Sequence, residues 1–80
     1  MITLAEQVRG IASDVFGMSK EKITADSSPE TVEAWDSTQH LTFVLALEEA
    51  FGIQLSPEEI EQIHTVGDAA RLVESRTQPR

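Results

Sequence analysis

Residues 34–51 read AWDSTQHLTFVLALEEAF and carry a strong helix pattern. We predict a helix from Asp36 to Phe51, because Asp36 is a good N-cap and Gly52 follows as a stop signal. The stretch has more apolar positions than one buried helix face can use. It also opens with a hydroxyl, Ser37, directly after the capping aspartate. Both the surplus of apolar residues and the position of this serine require an explanation.

A helical wheel separates the residues of this helix into two rows. The first row, which we assign to the core, contains Phe43, Leu47, Ala50 and Phe51, with Val44 beside it. The second row lies on a different side and contains Thr38, Leu41, Leu45 and Glu48. Two interpretations of the second row stay open: burial between the first and fourth helices, or an exposed apolar strip that docks other proteins.

The composition limits the class of protein. The chain has 80 residues, 40% of them hydrophobic, and a formal net charge of −8, which indicates one small domain with a modest core. This acidity argues against nucleic acid or anionic membranes as partners and favours basic protein surfaces. Without cysteine, a disulfide scaffold is excluded and any thiol must be brought in. The sequence has no signal peptide or membrane-spanning run, so we expect a cytoplasmic protein.

Three further helices are predicted from the same kinds of signal. They cover residues 3–16, 57–63 and 66–74. Each begins with a capping box, formed by Thr3 with Glu6, Ser56 with Glu59, and Thr65 with Asp68. No strand is predicted, so the fold class is all-α: a small four-helix bundle with a short third helix. We assign residues 1–75 to this domain and residues 76–80 to a flexible C-terminal tail.

The connection between the first and second helices is long for a compact domain. It contains three apolar residues that can anchor it over the bundle, Ile23, Val32 and Trp35. We therefore predict an ordered loop that packs on the helices, with a short helical turn at Ser19 to Lys22.

Ser37 has three candidate roles. As a structural residue it would help to cap the helix. As a nucleophile it would use His40, one turn along the helix, with Asp36 as the third member of a triad. Three residues on an exposed helix end cannot enclose a substrate or build an oxyanion hole, so we predict neither a catalytic residue nor an enzyme. The third candidate role of Ser37 is that of a site of covalent modification. The isolated His40 and His64 predict no metal site.

Four pieces of the sequence, in this order and spacing, strongly resemble the acyl carrier proteins and the related peptidyl carriers. The pieces are Asp36-Ser37-Thr38 at the head of the second helix, LEEAFGI at residues 47–53, the short third helix from Ser56 to Ile63, and TVGD at residues 65–68. The resemblance spans nearly the whole chain. Asp-Ser alone would be a weak signal, whereas four pieces in register are specific.

The resemblance implies that Ser37 receives a 4′-phosphopantetheine arm from coenzyme A. Acyl or aminoacyl groups would be carried as thioesters on the thiol of this arm. A separate phosphopantetheinyl transferase would supply the base for this attachment. The physical chemistry agrees, because a phosphodiester at a helix N-terminus meets unsatisfied amides and the positive end of the helix dipole. Asp36 would hold the helix start and contact the transferase. The residues expected to meet acyl-loading and acyl-transfer enzymes are Thr38, Leu41, Leu45, Glu48 and Glu49.

Some residues depart from the family pattern. Thr38 stands where Leu most often follows the modified serine, and Gln39 and Thr42 occupy positions that are often acidic in fatty-acid carriers. These departures, with Trp35, point away from a standard fatty-acid synthase and toward the discrete carriers of polyketide, nonribosomal-peptide or surface-glycan assembly. We expect a monomer. The alternative function is an unmodified helical adaptor that uses the same strip for protein–protein interaction.

Overall fold

The computed structural model describes residues 3–77, and within that range the chain forms four α-helices and no strand. The helices are α1 (Leu4–Phe16), α2 (Ser37–Phe51), α3 (Pro57–Glu61) and α4 (Val66–Thr77), with one turn of 3-10 helix at Lys20–Lys22. α1 packs against α2 and α4, and α2 also contacts α4. The predicted all-α bundle is confirmed. Among the described residues, no helix combines the length and the apolar character needed to cross a membrane.

Local chemistry sets most of the helix boundaries. At the start of α1 the predicted capping box is present: the Glu6 N–H donates to Thr3 Oγ1 at 3.2 Å, and the Thr3 N–H donates to Glu6 Oε1 at 3.1 Å. α2 ends at Gly52, whose φ of 65° is a left-handed conformation that favours glycine. Gly17 ends α1 in the same way. The predicted start of α1 and the predicted ends of α1 and α2 are therefore confirmed.

Two predicted helix ends are wrong. α3 stops at Glu61 rather than at Ile63, because the Ile63 N–H donates to a carbonyl three residues back and the chain tightens into a turn. α4 continues to Thr77 rather than ending at Glu74, so residues 76–77 of the expected tail are helical. The rest of that predicted tail, residues 78–80, lies outside the described residues.

Arg76 accounts for the extra length of α4. Its guanidinium forms an ion pair with Glu59 of α3, with Arg76 Nε donating to Glu59 Oε2 at 3.0 Å, and its Nη1 donates to the carbonyl of Gln54 at 3.1 Å. The hydrogen bond from Arg76, followed by that from the Ser56 N–H, holds the pKa of Glu59 below its usual value of 4.5. α3 has no fully buried side chain of its own, so polar bonds of this kind, together with the partly buried Ile60, hold it on the bundle.

The long loop before α2 is anchored as predicted. Ile23, Val32 and Trp35 are all at most 3% exposed. The 3-10 turn at Lys20–Lys22 lies inside the segment predicted to form a helical turn. Burial of these three side chains explains how a loop of this length stays ordered.

The first turn of α4 holds the same loop from the other side. The Val66 N–H donates to the carbonyl of Ser27 at 3.0 Å, and the Gly67 N–H donates to the carbonyl of Ala25 at 2.9 Å. A Cβ on Gly67 would lie only 3.0 Å from the Ala25 carbonyl oxygen, so glycine permits this close approach. The loop thereby supplies acceptors for amides that a helix N-terminus leaves unsatisfied.

The core is centred on three aromatic rings. The centroids of Phe16 and Trp35 are 4.8 Å apart in a stacked pair, and Phe43 meets Trp35 edge-on at 5.7 Å. The other buried apolar residues include Val8, Ala12, Val44, Leu47, Ile63, Val66, Ala69 and Val73. The core row predicted for α2 is confirmed at Phe43, Val44 and Leu47, while Phe51 is partly buried. Ala50 is exposed, so its assignment to the core is wrong: it falls at the edge of the buried face.

Candidate functional site

The amino end of α2 is built by Asp36. This residue is the N-cap, and its Oδ1 accepts a hydrogen bond from the Gln39 N–H at 2.9 Å. Ser37 is the first residue of the helix and is exposed. Because the cap is made by the carboxylate of Asp36, the hydroxyl of Ser37 is not needed for capping and stands at the surface.

Gln39 joins this helix end to α1. Its side-chain Nε2 donates to the carbonyl of Val15 at 2.9 Å, which satisfies an acceptor in the last turn of α1. From the sequence, Gln39 was notable only as a departure from the often acidic residue of fatty-acid carriers. Its side chain therefore fixes the start of α2 against α1, and with it the position of Ser37.

His40 lies one turn below Ser37, but both of its ring nitrogens are already engaged. The indole Nε1 of Trp35 donates to His40 Nδ1 at 2.9 Å, and His40 Nε2 lies 3.0 Å from the carbonyl oxygen of Ile60. An indole N–H can only donate, so Nδ1 accepts and Nε2 carries the proton that is donated to Ile60. This arrangement leaves no free lone pair for activating Ser37. His40 therefore cannot serve as the base of a catalytic triad with Ser37 in this arrangement.

Sequence reasoning missed this role of His40. A signal was available, since a buried tryptophan usually finds a partner for its indole N–H. Trp35 was predicted to be a buried anchor, and His40 is a polar side chain five residues away. Which partner it takes depends on how the loop enters α2.

An open groove lies next to Ser37. It has a volume of about 450 Å³ and is mostly apolar, and its lining residues are Pro29, Trp35, Asp36, Ser37, His40, Leu41 and Ile63. The groove runs from the exposed hydroxyl toward α3. A flexible group attached at Ser37 would therefore have an apolar surface within reach.

The outward side of α2 carries exposed apolar residues. Leu41 is 55% exposed and Leu45 is 64% exposed, and both are leucines that a core interpretation would have buried. Thr38 and Glu49 are exposed on the same helix. Of the two open interpretations of the second row, burial between α1 and α4 is therefore wrong. We call the exposed set Thr38, Leu41, Leu45 and Glu49 the outer strip.

Glu48 differs from the other residues expected to meet partner enzymes. It is only partly exposed, and its Oε2 accepts a hydrogen bond from the Leu55 N–H at 2.8 Å. This bond holds the connection between α2 and α3 in place. The sequence suggested a surface carboxylate, whereas the structure places Glu48 in a local support for the next helix.

The site fits a covalently attached arm that begins with a phosphate. The hydroxyl of Ser37 is exposed, and the first amides of α2 have no intrahelical acceptor. The adjoining groove offers apolar walls to the rest of such an arm. Within residues 3–77, no group of three or more potential ligands is arranged to hold a metal ion.

Comparisons with known proteins agree with this geometry. Residues 6–73 match the family model described as the phosphopantetheine attachment site. The fold is similar to the solution NMR structure of a holo acyl carrier protein from Geobacter metallireducens, with a TM-score of 0.81 and 27% sequence identity. That match covers 92% of this chain and 85% of the other. The chain therefore belongs to the phosphopantetheine-binding carrier proteins of the acyl carrier type.

Family membership defines the class of activity. Carriers of this type are not catalysts, so the protein is not an enzyme, and its cofactor is a covalently attached 4′-phosphopantetheine. Its partners include a phosphopantetheinyl transferase and acyl-handling enzymes. The resemblance seen in four pieces of the sequence is thus confirmed, and so is the cofactor that it implied.

Proposed function

We propose that Ser37 is the attachment residue and that the protein presents acyl or aminoacyl thioesters to the enzymes of a biosynthetic pathway. One observation carries this assignment: Ser37 is the exposed first residue of a 15-residue helix whose cap is made by the neighbouring Asp36. Its hydroxyl is therefore open to a transferase. A phosphodiester formed there meets unpaired amides and the positive end of the helix dipole.

Attachment forms a bond between Ser37 Oγ and the phosphorus in the pantetheine half of coenzyme A, while the bond from that phosphorus to the nucleotide half breaks. The serine proton goes to a base of the transferase, since both nitrogens of His40 are engaged. When attached, the arm supplies the thiol that this cysteine-free chain lacks. Asp36 and Gln39 keep the helix end in place during this step.

We propose the outer strip as the surface that meets partner enzymes. Leu41 and Leu45 supply apolar contact area, and the exposed carboxylate of Glu49 supplies charge. A net charge of −8 steers the carrier toward basic patches on those enzymes. We assign Asp36 a second role in contacting the transferase. Glu48 supports this surface indirectly, through its bond to the Leu55 N–H.

We further propose that the pathway is a specialised one, such as polyketide, nonribosomal-peptide or surface-glycan assembly. Two residues support this proposal: Thr38 reduces the apolar area beside Ser37, and Thr42 places an uncharged hydroxyl where fatty-acid carriers are often acidic. The carrier is expected to work as a cytoplasmic monomer. Mutual repulsion between such acidic chains favours the monomer.

Intact mass spectrometry tests the attachment residue. The protein is incubated with coenzyme A and a broad-specificity phosphopantetheinyl transferase, and we expect the mass increment of one phosphopantetheine. Ser37→Ala should abolish the increment completely, since the acceptor oxygen is removed. Ser19→Ala is the matched control, because Ser19 is also exposed at the start of a helical turn. An equal increment in Ser37→Ala would refute the assignment.

The same measurement separates the carrier from the unmodified helical adaptor. An adaptor that uses only the outer strip would bind its partners without any arm. Absence of an increment in a folded wild-type protein would favour the adaptor. Folding is checked in the same sample by circular dichroism, so that a lack of attachment is not confused with unfolding.

A further inference from the structure

The ring of His40 joins three separate parts of the molecule at the head of α2. Trp35 belongs to the long loop, His40 to α2, and Ile60 to α3. We call this hydrogen-bonded series the Trp35–His40–Ile60 chain. It has no part in the proposed attachment, yet His40 and Trp35 both line the groove beside Ser37. Its position suggests a role in what the arm carries.

The Trp35–His40–Ile60 chain connects the two sides of the groove. α3 has no fully buried side chain, and the hydrogen bond from His40 to the Ile60 carbonyl ties its last turn to α2. Leu41 lines the α2 side of the groove, and the buried Ile63 lines the side that follows α3. The bond from His40 to Ile60 therefore connects the two walls of the groove.

The bundle interior behind the groove is filled. Trp35 is 3% exposed and stacks on Phe16, while Phe43 packs against the edge of its indole. The imidazole of His40 lies nearly parallel to the indole, with ring centroids 6.0 Å apart and planes inclined by 19°. Trp35 is thus held on one side by aromatic packing and at its N–H by a hydrogen bond.

We infer that the Trp35–His40–Ile60 chain closes the bundle interior to the carried group, so that the cargo is a short or polar acyl group lying in the surface groove. This inference rests on the proposed attachment at Ser37. A long alkyl chain tethered there would gain by leaving water. To enter the interior it must break both hydrogen bonds of His40 and separate Trp35 from its stack.

Breaking the two hydrogen bonds of the Trp35–His40–Ile60 chain has a specific physical cost. The indole N–H of the buried Trp35 would lose its partner in an apolar surrounding, which is expensive for a buried polar group, and α3 would lose its bond from the partly exposed His40. A short acyl group avoids this cost, because the groove beside Ser37 already offers it apolar walls. The closed interior therefore disfavours long alkyl groups and does not affect short acyl groups, which stay in the groove.

Thermal unfolding of two loaded forms tests this selection. Acetyl-coenzyme A and octanoyl-coenzyme A serve as donors for a broad-specificity phosphopantetheinyl transferase, and intact mass confirms each product. We expect the two forms to unfold within about 1 °C of each other. The indole N–H signal of Trp35, the only tryptophan, should keep its position in the nitrogen–proton NMR spectrum. A midpoint several degrees higher for the octanoyl form, with a shifted indole signal, would overturn the inference.

Two variants of His40 test the role of the Trp35–His40–Ile60 chain. His40→Ala removes both hydrogen bonds, and we expect the octanoyl form to become more stable than the acetyl form by several degrees because the interior is now open. His40→Gln can accept from the indole N–H and donate to the Ile60 carbonyl, so it should behave like wild type. A folded His40→Ala protein without any dependence on acyl length would overturn the role of the chain. If His40→Ala does not fold, the wild-type pair still decides whether the interior is closed to a long acyl group, and His40→Gln still tests the two hydrogen bonds.

The mass measurement keeps this inference apart from the proposed function. Absence of any increment on the wild-type protein overturns both, because no group is then tethered at Ser37. An increment that depends on Ser37, combined with stabilisation that grows with acyl length, overturns only the closed interior. An increment with equal stability and an unchanged indole signal supports both.

Discussion

Leu47 and Leu45 lie two residues apart on α2, yet Leu47 is fully buried and Leu45 is 64% exposed. The inner face of the helix, with Phe43 and Val44, packs into the core. The outer strip instead presents Leu41 and Leu45 to solvent. Residue type is the same on both faces, so burial is decided by where α1 and α4 lie, not by hydrophobicity.

This comparison shows how one helix meets two demands. Its inner face must stabilise a chain that is small for a single core, and its outer face must remain free for contact with enzymes. Ser37 lies at the exposed end of the same helix, so its position is fixed by residues that take no part in the chemistry. Substitutions on the inner face should therefore lower stability, whereas substitutions on the outer strip should slow acyl loading with little loss of stability.

The largest expected effect is on the inner face. Leu47→Ala should lower the free energy of unfolding by about 2–5 kcal/mol, because it removes a buried side chain and leaves a cavity. Leu45→Ala, the matched change on the outer strip, should cost less than about 0.5 kcal/mol. Urea unfolding followed by circular dichroism measures both. Equal losses for the two leucines would contradict the division into faces.

The second effect is on function at the outer strip. Leu41→Ser should slow acyl loading by the cognate enzyme about five- to tenfold, the loss expected from a central contact residue. Its unfolding midpoint should stay near that of wild type, since Leu41 is 55% exposed. Ala5→Ser, an exposed change on α1, is the control. If Leu41→Ser unfolds the protein, Leu41 belongs to the core and the comparison fails.

The third effect separates capping from recognition at the helix end. Asp36→Ala removes the acceptor for the Gln39 N–H and should cost about 1 kcal/mol of stability. Asp36→Asn keeps an acceptor but loses the charge, so its stability should stay close to that of wild type. If the charge of Asp36 contacts the transferase, both variants should receive the phosphopantetheine arm more slowly than wild type. Attachment of the arm to Asp36→Asn at the wild-type rate, followed by intact mass, would show that Asp36 acts only as a cap.

The smallest effect concerns the polar attachment of α3. The pKa of Glu59 is lowered, first by the hydrogen bond from Arg76, so the pairing stabilises the fold above the unfolded value near 4.5. That contribution is lost as the pH falls through the lower folded value. Glu59→Gln should therefore show a shallower loss of stability below about pH 4.5. Glu58→Gln, in the same helix, is the control, and identical acid unfolding of all three proteins would contradict the prediction.

Features that depend on neighbours in the sequence could be predicted from it. The capping boxes at Thr3 and Ser56 and the stop at Gly52 involve residues at most four positions apart. The buried anchors of the loop could be predicted because apolar residues in a polar segment need a core to enter. The family followed from four such local pieces in register.

Features that depend on distant residues could not be predicted. α4 ends at Thr77 because Arg76 reaches Glu59, which lies 17 residues earlier in the chain. The roles of Glu48 and His40 likewise depend on Leu55, in the connection after α2, and on Ile60, in α3. Helical periodicity gives the angle of a side chain around its own helix but not the position of the neighbouring helix.

The sequence by itself determined that the chain forms four helices, that α2 begins at Asp36 and Ser37, and that the protein is a carrier of the acyl carrier type. Only the tertiary structure decided that the second row of α2, with Leu41 and Leu45, stays exposed, and how His40 is used. The physical reason is the range of the interactions. Caps and helix periodicity act within one or two turns, whereas burial and the bonds of His40 require α1, α3 and the long loop to be in place.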